Sequence, residues 1–184
     1  MNDILKAIKS RRSVRSFSDK QITDNELQAV LEAAQYAPTA GSQPWQFIAI
    51  QKEELINELS NASKEVVKNH EVEFIRKMAN NKDFHAFYNA PTVILVCGDE
   101  SLWTPADCAA ATQNILLAAE SLGLAACWIN FGLFVFSSES GSKYNKLLGI
   151  PEGYSPLYSV ALGYRRGAVP AAAPRKKNVV TCIK

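Results

Sequence analysis

Apolar positions recur along the chain first at helical and then at strand spacing. Ile4, Leu5 and Ile8 share one face of a short helix that Asn2 or Asp3 can cap. Thr23-Asp24-Asn25-Glu26 is a capping-box pattern, and Leu27, Val30, Leu31 and Ala34 follow at helical intervals until Ala37-Pro38 breaks the run. Trp45 to Gln51 predicts a strand, and Leu55, Ile56, Leu59, Ala62, Val66 and Val67 mark one face of a third helix. Between Met78 and Pro91 polar residues are interrupted by aromatics, the pattern of a loop or broken helix beside a pocket or an interface.

Thr92 to Cys97, TVILVC, is a continuous apolar run of strand length, which predicts a central strand covered on both faces and ended by Gly98-Asp99. Thr104 as cap and Pro105 at the first helical position open a helix that runs to Gly123. Its sides are apolar nearly all round, which requires burial in a core or against another subunit and leaves Asp107, Gln113 and Asn114 in need of partners. Ala125 to Ile129 and Leu157 to Tyr164 predict two more strands, separated by an apolar loop around Phe131 to Phe136 and a helix near Ser142 to Leu148. The closing GAVPAAAPRKKNVVTCIK favours an extended arm, whose NVVTCI could add a strand to a sheet, including another subunit's. With no internal repeat and no linker between two cores, one α+β domain over residues 1–184, with 167–184 as its arm, is the economical reading.

Bulk properties narrow the partners. With 47% hydrophobic and 21% charged residues the chain is expected to fold, and a net charge of +2 is too near neutral for a protein that coats nucleic acid. Asp3, Lys6 and Lys9 interrupt the N-terminus where a signal peptide needs an apolar run, and no later window is long and apolar enough to cross a bilayer. A soluble cytoplasmic protein without a membrane partner is the expectation. Cys97, Cys108, Cys127 and Cys182 form no CxxC pair and read as inert buried thiols, not metal ligands.

Candidate chemistry is concentrated in two basic clusters. Arg11, Arg12 and Arg15 crowd beside Ser13 at the exit of the first helix, and Arg175-Lys176-Lys177 follows the Pro-Ala arm. The planar fork of arginine suits a phosphate, although charge alone favours reading each cluster as a solvated patch. His70 and His85 match neither a hydrolytic triad nor a metal-binding spacing. Scarce polar catalytic groups, beside an anion-binding candidate and loop aromatics, point to a planar, phosphate-bearing cofactor that carries its own chemistry. The dinucleotide fingerprint and the P-loop are both absent.

Five ordered motifs then resemble the FMN-dependent nitroreductase family, and its short members most: RRSVRSF at Arg11, APTAGSQPWQF at Ala37, FYNAPTVILV at Phe87, DCAAATQNILLAAESLGLAACWI at Asp107 and LGIPEGYSPLYSVALGY at Leu148. The resemblance implies an α-β-α sandwich, a mainly antiparallel central sheet flanked by helices. It also implies an intertwined homodimer with C-terminal strand exchange and FMN sites at the subunit interface.

Carried over by position, Arg11, Arg12, Ser13 and Arg15 match the motif that holds the flavin phosphate, ribityl chain and pyrimidine edge. Arg175, with Lys177 beside it, matches the late basic group that completes phosphate binding. Pro38, Thr39, Ala40, Gly41, Ser42 and Gln43 match a loop that approaches the flavin from the partner subunit, with Trp45 as a packing anchor behind it. Ile129 and Asn130 occupy the place where many relatives offer a Gly-Gly backbone to flavin N5 and O4. Phe87, Tyr88, Trp103 and Phe131 are expected around the substrate pocket, Phe131 narrowing it. Gly41 stands where many relatives have Asn, and the family's mid-chain asparagine has no match.

The resemblance implies NADH or NADPH as co-substrate and ping-pong hydride transfer through flavin N5 to a nitroaromatic, quinone or related small acceptor. No side chain is then needed as a general acid. Competing readings are a flavoenzyme of the same fold with another reaction, such as enone reduction or dehalogenation, a non-catalytic flavin-binding protein, and a nucleic-acid-binding protein, against which the net charge argues.

Overall fold

The structure is a computed structural model and describes residues 2–184. Its elements run α1 (Asp3–Ser10), α2 (Asp24–Gln35), β1 (Trp45–Ile50), α3 (Glu53–Val67), α4 (Glu73–Asn80), β2 (Thr92–Gly98) and α5 (Thr104–Ser121). β3 (Ala125–Trp128), a 3-10 helix (Phe131–Ser137), α6 (Gly141–Leu147) and β4 (Ser155–Gly163) follow. The strands make one sheet in the order β1-β2-β4-β3, antiparallel at every pairing.

β2 is paired on both sides and wholly buried, as the run TVILVC predicts. Strand alternation sends Val93, Leu95 and Cys97 into a core shared with α3 and the 3-10 helix, and Ile94 and Val96 into a second core with α2 and α5. The result is the expected α-β-α sandwich around an antiparallel sheet.

The capping box at α2 forms as the sequence reads: Thr23 Oγ1 accepts from the Glu26 amide at 3.2 Å, and Glu26 Oε2 accepts from the Thr23 amide at 2.8 Å. The Tyr164 hydroxyl donates to the same carboxylate at 2.8 Å and so ties α2 to the chain just past β4. The Thr23 amide, then the Tyr164 and Thr23 hydroxyls, hold Glu26 below the usual carboxylate range.

Four features differ from the sequence reading. α4 occupies part of the segment read as loop or broken helix; Asn80 Nδ2 fastens its end by donating to the Lys68 carbonyl at 2.7 Å. The apolar loop after β3 is a 3-10 helix, docked on α3 because Ser63 Oγ donates to the Gly132 carbonyl at 2.8 Å. Thr104 does not cap α5: Trp103 holds the cap position, and Thr104 Oγ1 donates to Asp99 Oδ1 at 2.5 Å. Cys182 is exposed on the arm, whereas Cys97, Cys108 and Cys127 are buried free thiols, with burial pushing Cys97 up to about 12 and Cys108 up to about 11.

α5 buries a single face, Thr104, Asp107, Cys108, Ala111, Thr112, Ile115, Leu116 and Ala119, at helical spacing. Asp107 and Asn114 find partners: Asp107 Oδ2 accepts from the Ala40 amide at 3.1 Å, and Asn114 Nδ2 donates to the Ala33 carbonyl at 2.9 Å. Gln113 faces solvent. Leu117 and Ala118 line an apolar groove of about 380 Å³ with Ile4 and Ala7 of α1, and α1 itself buries no residue. Residues 168–184 are exposed, and NVVTCI joins no strand of its own chain's sheet.

Candidate functional site

The chain leaves α1 at Arg11 and runs along the outer edge of β3. Ser13 pairs in parallel with Ala126, and the Val14 amide donates to the Ala126 carbonyl at 3.1 Å. The segment then crosses to the end of β4, where the Ser18 amide donates to the Tyr164 carbonyl at 2.9 Å and the Arg166 amide to the Ser16 carbonyl at 3.0 Å. Val14 and Phe17 are buried anchors, so Arg15 and Ser16 between them face out.

This path gives the three arginines different environments. Arg12 Nη1 donates to the carbonyls of Lys9, Ser10 and Arg11 at 2.8, 2.8 and 2.9 Å, satisfying acceptors at the C-terminal end of α1. Arg12 Nη1 thus caps the helix, while its Nε is buried with no hydrogen-bond partner among the described residues. Arg11 is half-buried, and its Nη1 is buried with no hydrogen-bond partner among the described residues. Arg15 is exposed: Nη1 lies 3.5 Å from the Ser13 carbonyl, and Cζ is 5.8 Å from the centre of the Tyr88 ring. Burial raises the Cys127 thiol, and the charges of Arg15 and Arg11 oppose it, so both guanidiniums act on the same stretch of β3.

Arg15 and Tyr88 line a cavity of about 610 Å³ together with Gln51, Asn57, Asn89 and Arg166. The last four were invisible to sequence reading. They converge from the end of β1, from α3, from the turn before β2 and from beyond β4, and no local spacing encodes that meeting.

The remaining expected residues divide by position. Asn130 is exposed just after β3, and its Oδ1 accepts from Trp128 Nε1 at 3.1 Å. The Ile129 amide donates to the Ser159 carbonyl at 2.9 Å, and its carbonyl accepts from Ser159 Oγ. Ile129 therefore has no backbone donor left for a ligand, contrary to expectation. Phe87 is fully buried, its ring end lying where a Cβ on Gly132 would stand, and Phe131 is buried edge-to-face on Phe84 at 4.9 Å and on Phe134 at 5.4 Å. Both belong to the core, so in this structure Phe131 does not narrow a pocket; Tyr88 alone of the expected aromatic set reaches the cavity.

Residues 38–43 form a tight exposed loop before β1, with Thr39 Oγ1 accepting from the Gly41 and Gln43 amides at 3.0 and 3.1 Å. Asp107 joins this loop to Trp103, accepting from Ala40 and donating its amide to the Trp103 carbonyl at 3.0 Å. Loop and Trp103 therefore sit together before the start of β1, whereas Arg11 to Ser13 run outside β3, four strand spacings or about 19 Å from β1 across the sheet. Arg175 and Lys177 lie on the exposed arm. One chain brings Arg11, Ser13, Arg15 and Tyr88 to one region, with Asn130 just past the end of β3, and leaves the loop and Trp103 at the start of β1.

A profile of the nitroreductase family matches residues 8–164. An Archaeoglobus fulgidus protein provisionally named NADH dehydrogenase/NAD(P)H nitroreductase is 37% identical over 173 residues, 89% of this chain and 86% of its own. A nitroreductase with bound FMN from Bacteroides fragilis superposes with a TM-score of 0.93 at 34% identity over the whole of both chains. One from Desulfitobacterium hafniense, also with bound FMN, superposes at 0.92 with 32% identity and the same full coverage. Sequence and backbone therefore agree along the chain, strip and sheet included, and the chain belongs to the nitroreductase family.

Proposed function

We propose that the chain is an FMN-dependent NAD(P)H oxidoreductase that acts as a homodimer. In this reading it passes hydride from NADH or NADPH to a nitroaromatic, a quinone or a related small electron acceptor. The observation that carries the reading is the buried, partnerless Nη1 of Arg11 in the strip that also holds Ser13 and Arg15. A buried guanidinium donor without an acceptor is costly, and a phosphate would satisfy it with charge-assisted hydrogen bonds. The bound FMN of the two structural relatives supports the same cofactor here.

The residues present fit FMN. Arg11 and Ser13 would take the phosphate and ribityl chain, Arg15 the pyrimidine edge and Asn130 the N5 and O4 side. Arg12 ends α1 through Nη1 so that its neighbours run along β3, and its unmatched Nε is a further donor for the phosphate side. FMN would supply the two-electron chemistry. This chain's groups would bind and orient it: Arg15 would place positive charge beside the ring system, and Tyr88 walls the adjoining cavity.

Separation of the two sheet edges supports the dimer. In this reading residues 38–43 and Trp103 complete the site from a second copy, and Arg175 and Lys177 travel on an arm that its own chain leaves exposed. α1 shows Ile4 at 70% exposure and the groove beside α5 is apolar, surfaces that a second copy would cover. In this reading residues 1–184 form one domain, with 167–184 packing on the partner. A cytoplasmic location completes it, and four free thiols suit a reducing compartment.

The test is the visible spectrum of the purified protein before and after anaerobic NADH or NADPH, then with an acceptor panel. Flavin absorbance that bleaches and returns with nitroaromatics or quinones supports the proposal. Bound flavin that neither nucleotide reduces leaves a non-catalytic flavin protein, and a protein that takes up no FMN refutes the reading.

A further inference from the structure

Tyr88 and Asn89 both hold left-handed backbone, at φ of 55° and 53°. Tyrosine is disfavoured there because its Cβ crowds a carbonyl, so the conformation needs external support. His85 supplies it. Its Nδ1 accepts from the Phe87 amide at 3.1 Å and the Asn89 amide at 3.2 Å, while Nε2 lies 3.1 Å from Asn57 Oδ1 on α3. A ring nitrogen that accepts carries no proton, so the proton is on Nε2 and is donated to Asn57. Burial, then the charge of Lys64, pushes His85 down to about 4 and keeps it in this neutral form at neutral pH.

The loop around His85 is fixed from the same helix. Ser60 Oγ accepts from the Ala86 amide at 2.9 Å, and Lys64 Nζ donates to the Asn81 and Phe84 carbonyls, each at 2.8 Å. The left-handed pair then sends Phe87 inward and Tyr88 outward, where the Tyr88 ring meets Phe84 edge-on at 6.1 Å and stands 5.8 Å from Arg15 Cζ.

We propose that His85 is a positioning residue for the Arg15 end of the site. Through its accepting Nδ1 it holds Tyr88 left-handed and so sets the Tyr88 ring against the Arg15 guanidinium, fixing the direction in which Arg15 presents its donors. The inference rests on the reading of Arg15 as the group at the flavin's pyrimidine edge, but the link from His85 through Tyr88 to Arg15 is testable without cofactor.

The test uses the full-length 15N-labelled protein by NMR, without FMN and then loaded with it. In the unmutated protein at pH 7 the His85 ring gives the neutral Nε2–H pattern; a ring protonated at Nδ1 overturns the proposal. His85→Ala speeds exchange of the Phe87 and Asn89 amides about tenfold or more and moves the Arg15 Nε–H resonance in the same direction as Tyr88→Leu. His85→Asn, whose Oδ1 can accept the same amides, keeps exchange within about threefold and leaves the Arg15 resonance in place. If His85→Ala fails to fold, the contrast between His85→Asn and Tyr88→Leu at Arg15 decides alone. In loaded protein, His85→Ala and Tyr88→Leu weaken FMN by similar factors, and the double variant adds nothing further. An Arg15 resonance unmoved by Tyr88→Leu, or moved as far by His85→Asn, overturns the proposal. Unchanged FMN retention in Arg15→Ala overturns instead the role assigned to Arg15, so the two failures are distinguishable.

Discussion

Gly132→Ala tests whether Phe87 and the 3-10 helix form one rigid unit behind Asn130. A methyl group at Gly132 would stand inside van der Waals distance of Phe87 Cζ, Cε1 and Cε2, and Phe87 has no exposed surface through which to withdraw. The other side is anchored as well, since Ser63 Oγ donates to the Gly132 carbonyl at 2.8 Å and accepts from the Val135 amide at 3.4 Å. Overpacking of this kind costs about 1–3 kcal/mol. Gly132 has an ordinary negative φ, so alanine recovers about 0.4–1 kcal/mol by restricting the unfolded chain. The net expectation is a loss of about 1–2 kcal/mol, seen as a lower urea midpoint with unchanged slope at fixed protein concentration. Phe87→Leu removes the ring atoms that clash, so Gly132→Ala should be less costly in that background, by at least about 1 kcal/mol. A stabilised or neutral Gly132→Ala, or strict additivity with Phe87→Leu, refutes the reasoning.

Arg15→Ala should retain the fold, because Arg15 is exposed, yet weaken FMN retention and lower the flavin potential; an unchanged bound fraction and potential in the purified variant would sink that role. The depressed His85 value sets a pH dependence: the unfolded ring, near 6.5, binds a proton that the folded ring, near 4, refuses, so stability is full above pH 6.5 and falls as pH drops toward 4. That interval corresponds to about 3 kcal/mol, halved to about 1.5 kcal/mol because the ring is only half-buried, and His85→Asn should remove the slope in chemical-denaturation series across the window. Deleting residues 168–184, exposed throughout, should leave helical circular dichroism near the full-length value but shift light-scattering mass from dimer to monomer; a dimer of unchanged affinity would show that the arm is not an exchanged element.

Elements with a strong local signature were legible in the sequence. TVILVC becomes the central strand because an unbroken apolar run fits a strand buried on both faces, and Thr23 to Glu26 caps α2 because those two side chains satisfy each other's amides. α4 was not legible, since EFIRKMAN is short and half polar and is held by tertiary bonds such as Asn80 to Lys68. α5 misled in another way. Alanine-rich on every side, it hides which face is buried, and the buried stripe appears only once the sheet lies against it. Phe87 and Tyr88 are adjacent aromatics of similar character, yet one is core and the other walls the cavity, because a left-handed turn held by His85 separates them. The surroundings of Ile129 were hidden for a related reason: its amide and carbonyl are used by Ser159 of β4, a residue that sequence does not show as a neighbour.

The arginine cluster shows why residue type and spacing alone leave a solvated patch and an anion site undecided. All three side chains carry the same charge within five positions, but the exit angle of α1 assigns them different surroundings. Arg12 folds back on the helix end, where three carbonyls take up Nη1, so that part of its guanidinium is matched locally. Arg15 projects into solvent beside Tyr88, where a lone arginine would also be stable without a ligand. Arg11 Nη1 and Arg12 Nε are both buried and unmatched among the described residues, a state that a solvated patch would not produce, because water would reach them. The discrimination between the two explanations therefore falls on these two nitrogen atoms of adjacent residues, and it favours an anion held at the edge of β3.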